Sequence, residues 1–232
     1  MSHTNKVKDT INALKEKHAK SPWKNVLYTM FATEEFQTAL FQLYSDLEAK
    51  QMFTPVLKNF FRNLELCNPN AVSTVFITAY PYYHKGQADG LAFSSQTEGA
   101  VSAEGNTFHD TLSEISVEGP KPDYNLEYLV EQGVLLWNIS LTAPIGKQTD
   151  HYPMWEPVSR MFFDMLSKYM KNIIFVFVGE PADKMGTAIH KGNGHLKIFL
   201  PEIPAEGNWN HIDSFNTINA MLAKQKKHPI IW

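Results

Sequence analysis

The stretch Val72-Ser73-Thr74-Val75-Phe76-Ile77-Thr78 runs directly into Ala79-Tyr80-Pro81-Tyr82-Tyr83-His84-Lys85-Gly86-Gln87-Ala88-Asp89-Gly90-Leu91-Ala92-Phe93-Ser94. The first part is mostly β-branched and apolar, the pattern of a buried strand. The second part carries Pro81, Gly86 and Gly90 and cannot continue that strand, so it reads as a long loop. Three further runs share the strand pattern: Gly133–Ile139, Asn172–Val178 and His195–Leu200. Helical spacing recurs between and after them, over Phe108–Ile115, Leu126–Gln132, Val158–Tyr169 and Asp213–Lys224. Strands alternating with helices predict an α/β fold of three layers, α/β/α, with a central, mostly parallel four-stranded sheet. In such sheets ligands bind beyond the carboxyl ends of the strands. The loops after Thr78, Ile139, Val178 and Leu200 are therefore the places to look for a site.

The rest of the chain sets bounds. Its 232 residues suit one domain over 1–232. Thr10–His18 places Ile11 and Leu14 among Lys and Glu, predicting a surface helix within 1–20. Thr33-Glu34-Glu35-Phe36 reads as a helix cap, followed by Leu40, Leu43, Tyr44 and Leu47 at helical spacing. With the single cysteine Cys67, no disulfide framework and no cysteine-rich zinc site can form within the chain. His190, His195 and His211 lack the spacing of a ligand set, so neither metal nor cofactor is expected. Met1–Lys20 is polar, and the longest apolar run, Ile173–Val178, is too short to span a membrane. The expectation is an intracellular, reducing compartment, cytoplasm or nucleus. The net charge of −3 lacks the basic excess common in proteins that live on DNA.

Thr78–Ser94 resembles the water-activating loop of family 1 uracil-DNA glycosylases, G-Q-D-P-Y-H-G-P-G-Q-A-H-G-L-A-F-S. Gln132-Gly133-Val134-Leu135-Leu136-Trp137-Asn138-Ile139-Ser140-Leu141-Thr142 resembles their Q-G-V-L-L-L-N-T-V-L-T. His151 with Trp155-Glu156 resembles S-H…G-W-E, and Lys226–Trp232 resembles G-K-K-P-I-D-W. The match is collinear over nearly the whole chain. It implies the glycosylase fold, and the altered motifs have the character of divergent, viral-type members.

Uracil excision breaks an N-glycosidic bond through an oxocarbenium-like transition state. A carboxylate stabilises the cation and positions water, and a donor at O2 stabilises the uracil anion. On the resemblance, the family's catalytic Asp position is Tyr80, and its His position is Leu200, within Leu200-Pro201-Glu202-Ile203-Pro204. Asp89 and His84 are the substitutes nearest in sequence; they read either as surface loop residues or as relocated catalytic groups. The base pocket is better preserved. Asn138 stands where the family reads the base edge, Phe93 where it stacks on the base, and Tyr82 where it blocks thymine's methyl group. Inheritance as core and retained base binding account for these three equally well.

The family's Ser-rich phosphate loops correspond to Ser102-Ala103-Glu104, Gly179-Glu180 and Pro201-Glu202. A glutamate against a phosphate repels it, and phosphate contacts supply most non-specific DNA affinity. The wedge Leu is replaced by Ile203 or Pro204, and the downstream Arg is absent from Glu206-Gly207-Asn208-Trp209. The leading expectation is a catalytically inactive glycosylase-like protein. It would act through a protein partner, as a replication or repair accessory or a decoy, with a weakened grip on DNA. Two alternatives stand beside it: a glycosylase for a modified pyrimidine or single-stranded substrate, and a non-cutting reader of a pyrimidine base.

Overall fold

The run around Phe76 forms a strand at the centre of a parallel sheet, and every other element is placed by reference to it. In the computed structural model, residues 2–96, 102–116, 124–205 and 209–232 are described. In chain order the principal elements are α1 (His3–Lys17), α2 (Lys24–Phe31), α3 (Glu34–Glu48), β1 (Phe53–Thr54), α4 (Arg62–Leu66) and β2 (Thr74–Thr78). They continue with α5 (Ala103–Ile115), α6 (Glu127–Glu131), β3 (Val134–Asn138), β4 (Ala143–Pro144), α7 (Tyr152–Tyr169) and β5 (Ile174–Val178). The last three are α8 (Glu180–Met185), β6 (Leu196–Leu200) and α9 (Ile212–Lys224). The four predicted strands form one parallel sheet in the order β3-β2-β5-β6, and the short β1 and β4 pair separately.

Successive side chains on a strand face opposite sides, so the sheet buries two faces at once. On one face Phe76 stacks on Phe215 of α9, centroids 5.9 Å apart, and meets Phe108 of α5 edge-on. On the other, Trp137 lies flat against Phe162 of α7 at 4.2 Å. The predicted three-layer α/β/α architecture is the one observed.

Several boundaries differ from the sequence reading, for local reasons. α1 begins at His3, capped by the Ser2 hydroxyl, and buries Val7, Thr10, Ile11 and Leu14. Its other faces are largely exposed, so it lies on the surface with one stripe buried. α5 begins at Ala103, because Ser102 accepts a hydrogen bond from the Gly105 N–H at 3.2 Å, a cap ahead of the apolar stripe. α7 begins at Tyr152. Pro153 lies in its first turn, where the missing N–H costs nothing, and Pro157 removes a single intrahelical donor. Thr33 caps α3 as expected, its hydroxyl accepting from the Phe36 N–H.

β3 is an edge strand whose outer side is closed without a fifth strand. The Asn63 amide donates to the Leu136 carbonyl at 2.6 Å and accepts from the Leu136 N–H at 2.8 Å. The Ala92 N–H donates to the same carbonyl at 2.9 Å. The long loop after β2 is thereby laid along the sheet edge and brought back to the strand's carboxyl end.

Candidate functional site

Register decides where a site can form. Thr78 aligns with Asn138 across β2 and β3, and Val178 aligns with Leu200 across β5 and β6. The carboxyl ends of all four strands therefore lie side by side, and a cavity of about 260 Å³ opens beyond them. Thr78, Asn138 and Val178 form part of its lining. The loop after β2 adds Ala79, Tyr80, Tyr82, Leu91 and Phe93; α5 adds Glu104; and the segment after β6 adds Glu202 and Ile203. The loops suspected from the sequence are the loops that build the cavity, joined by the start of α5.

The aromatic wall is held firmly. Phe93 has a left-handed backbone, φ 64°, unusual for a residue with a Cβ. Its carbonyl accepts from the Tyr82 hydroxyl at 3.0 Å and contacts His109 Nε2 at 2.9 Å. Behind it, Phe108 stacks on the ring at 4.2 Å. Burial, reinforced by the Asp89 and Glu104 carboxylates, pushes the Tyr82 hydroxyl far above its ordinary range, so it stays a neutral donor. At the end of β3, Asn138 is 8% exposed, and its Oδ1 has no hydrogen-bond partner among the described residues. A buried amide oxygen without a partner is costly in a protein interior and is the natural contact for a ligand donor.

Tyr80 is half-buried at the mouth, its ring 5.4 Å from that of Tyr152. Burial, then the Glu202 carboxylate, raises its hydroxyl above the ordinary value, with Lys184 opposing. It is a neutral phenol at physiological pH. Leu200 is 5% exposed, ends β6 and does not line the cavity. Ile203 does, and the neighbouring Pro204 carbonyl accepts from the Thr107 hydroxyl of α5 at 3.1 Å. Glu206, Gly207 and Asn208 lie outside the described residues.

The two candidate substitutes separate. Asp89 is not a surface loop residue; it is 3% exposed and lies 2.6 Å from the Arg62 guanidinium. It also accepts from the Leu91 N–H at 3.0 Å and the Ser94 hydroxyl at 2.7 Å, which commits its carboxylate to holding the loop. Arg62 in turn pairs with Glu127. His84 is exposed, its ring tilted against that of Tyr83 at 4.4 Å. Neither lines the cavity. The carboxylates that do are Glu104 and Glu202, whereas Glu180 pairs with Lys184 at 2.9 Å and borders an adjoining depression.

Arg62 and Asn63, which anchor the loop and the sheet edge, were not singled out from the sequence. Their signal was a charged and an amide residue inside the apolar run Phe60-Phe61-Arg62-Asn63-Leu64. The His151 motif also proves structural. The Trp155 Nε1–H donates to the Thr142 hydroxyl at 2.6 Å, which donates to His151 Nδ1 at 2.8 Å. His151 Nε2–H then donates to Asp46 at 2.9 Å. Burial lowers the His151 pKa despite Asp46, so this last contact is a hydrogen bond from a neutral ring, not an ion pair. His195 likewise ties α7 to β5, accepting from the Ile173 N–H and donating to the Ser167 carbonyl. Among the described residues no His, Cys, Asp and Glu cluster could hold a metal, and no helix is long and apolar enough to cross a membrane.

No family model matches the chain. Sequence relatives do. A protein named uracil-DNA glycosylase from Mesomycoplasma hyopneumoniae is 29% identical over 219 residues, covering 92% of this chain and 98% of the relative. One from Acinetobacter baumannii is 27% identical over 216 residues, covering 90% of each. Among solved structures, mimivirus uracil-DNA glycosylase superposes with a TM-score of 0.80 at 21% identity, over 91% of this chain and 86% of that one. A mimivirus variant solved in complex with UGI superposes with a TM-score of 0.81 at 20% identity, over 91% of this chain and 87% of that one. The fold is therefore that of the uracil-DNA glycosylase superfamily, and the chain is similar in sequence to proteins of that name along nine-tenths of its length.

Proposed function

We propose that this chain acts by binding through its cavity and does not excise uracil by the family's chemistry. One observation carries the reading. The cavity lining holds Asn138, Phe93, Tyr82 and Tyr80, and on the resemblance of the surrounding motifs these stand for the family's base-reading amide, its aromatic wall and, at Tyr80, its water-activating carboxylate. Excision needs a negative charge beside the sugar cation and a donor at the departing base. Removing one such group costs about 10²–10³ in rate, and Tyr80 and Leu200 replace both. Among the described residues the cavity lining contains no lysine, arginine or histidine, which supports a weak hold on phosphates. A protein partner, within a repair or replication assembly, is the occupant's natural carrier.

The test is base release together with binding, on single- and double-stranded DNA with and without uracil. The expected result is an intact base in every substrate, with any binding weakened by Asn138→Ala. Excision above background would overturn the reading.

A second reading rests on Glu202, a carboxylate in the lining beside Tyr80. A glycosylase of altered specificity could use it to stabilise the sugar cation. That enzyme would release a modified pyrimidine, and Glu202→Gln would abolish the release. Failure across a broad panel of modified bases removes it.

A further inference from the structure

The charge of the cavity points to the kind of molecule it prefers. Among the described residues its lining holds two carboxylates, Glu104 and Glu202, and no cationic side chain. Both glutamates are exposed and neither makes an ion pair among the described residues, whereas Glu180 nearby is paired with Lys184. Glu202 also borders the adjoining depression with Glu180 and Asp183, so the anionic character extends past the mouth. Independently, Asn138, more than nine-tenths buried, lines the same cavity, and its amide oxygen has no hydrogen-bond partner among the described residues. The wall also includes the Phe93 ring, with Phe108 stacked behind it.

An occupant satisfying these groups is flat, rich in N–H donors and positively charged. We propose that the cavity takes a planar cation of the amidinium or guanidinium class. Such a group lies against an aromatic face, donates in its own plane to carboxylate and amide oxygens, and sheds water more easily than an ammonium. Uracil offers two carbonyl acceptors and one usable N–H edge, a poorer match to two carboxylates. A phosphate-bearing ligand would meet like charge. The inference rests on the reading of the cavity as a binding site and names its ligand class. The cation has two sources, an arginine side chain presented by a partner or a free small molecule.

Calorimetry on the full chain tests this with benzamidine, N-acetyl-arginine amide, uracil and uridine monophosphate, at low and physiological salt. At least one cation is expected to bind about tenfold tighter than uracil, a preference set by charge-assisted hydrogen bonds. The double variant Glu104→Gln with Glu202→Gln, at two exposed positions where the fold is not at stake, should lose about tenfold for the cation while uracil changes less than about twofold. Arginine amide binding at least as well as benzamidine assigns the site to a partner's side chain; benzamidine alone assigns it to a free cation. Uracil binding as tightly as either cation overturns the inference and leaves the base-binding reading standing. Cation binding indifferent to the double substitution also overturns it. No binding of any probe overturns both.

Discussion

Asp89 shows how far a single residue can mislead when it is read without its neighbours. Asp89 is a carboxylate close in sequence to the missing one, and sequence proximity made it a candidate. In the fold it is buried against Arg62 and accepts two further hydrogen bonds, so its charge holds the loop in place. Arg62 is 7% exposed, and removing one partner of a buried pair strands the other. Asp89→Asn should therefore lower stability by about 3 kcal/mol, read by urea denaturation, part of the charge on Arg62 remaining balanced by Glu127. An unchanged midpoint would show that the pair is not holding the loop. Asn138, Phe93 and Tyr82 were legible from the resemblance because their neighbours in the motif survive. The resemblance set Glu104, Glu180 and Glu202 alike on the phosphate loops; that Glu104 and Glu202 line the cavity while Glu180 borders the adjoining depression is visible only in the folded chain.

At the scale of elements, the four strands and the helices between them were legible, because β-branched runs and helical spacing are local signals. What stayed hidden was local too weak or not local at all. α4 has five residues and no periodicity to display, yet its Asn63 completes the edge of β3. Truncating Asn63 would leave the Leu136 N–H buried without a partner and remove one of the two donors to its carbonyl. Asn63→Ala is expected to cost about 2 kcal/mol, and to loosen the loop that carries Phe93, seen as faster amide exchange at Ala92. Slow exchange at Ala92 in the variant would refute the role given to α4. The prolines of α7 concealed its first turns for the opposite reason, being residues that usually end helices but are tolerated near a beginning.

For the whole molecule, two buried histidines set a pH dependence. Burial lowers the pKa of His18, Glu65 opposing, and of His151, Asp46 opposing. Their folded values lie below the ordinary 6.5, so as pH falls past 6.5 the unfolded chain takes up these protons first. Stability should therefore be greatest above that value and decline as pH drops toward the folded values. Denaturation midpoints at about pH 7.5 and about pH 5.5 check the direction, and His151→Gln should flatten the slope. A midpoint that rises on acidification would reverse the assignment of both histidines as neutral.

The cavity is proposed to accept an occupant and to leave the glycosidic bond alone. Single-turnover release of labelled uracil from a single-stranded, uracil-containing oligonucleotide tests this proposal. The expected result is no release above the protein-free background at neutral pH. Release above that background, lost in Asn138→Ala, would contradict it and make Glu202 the carboxylate to examine.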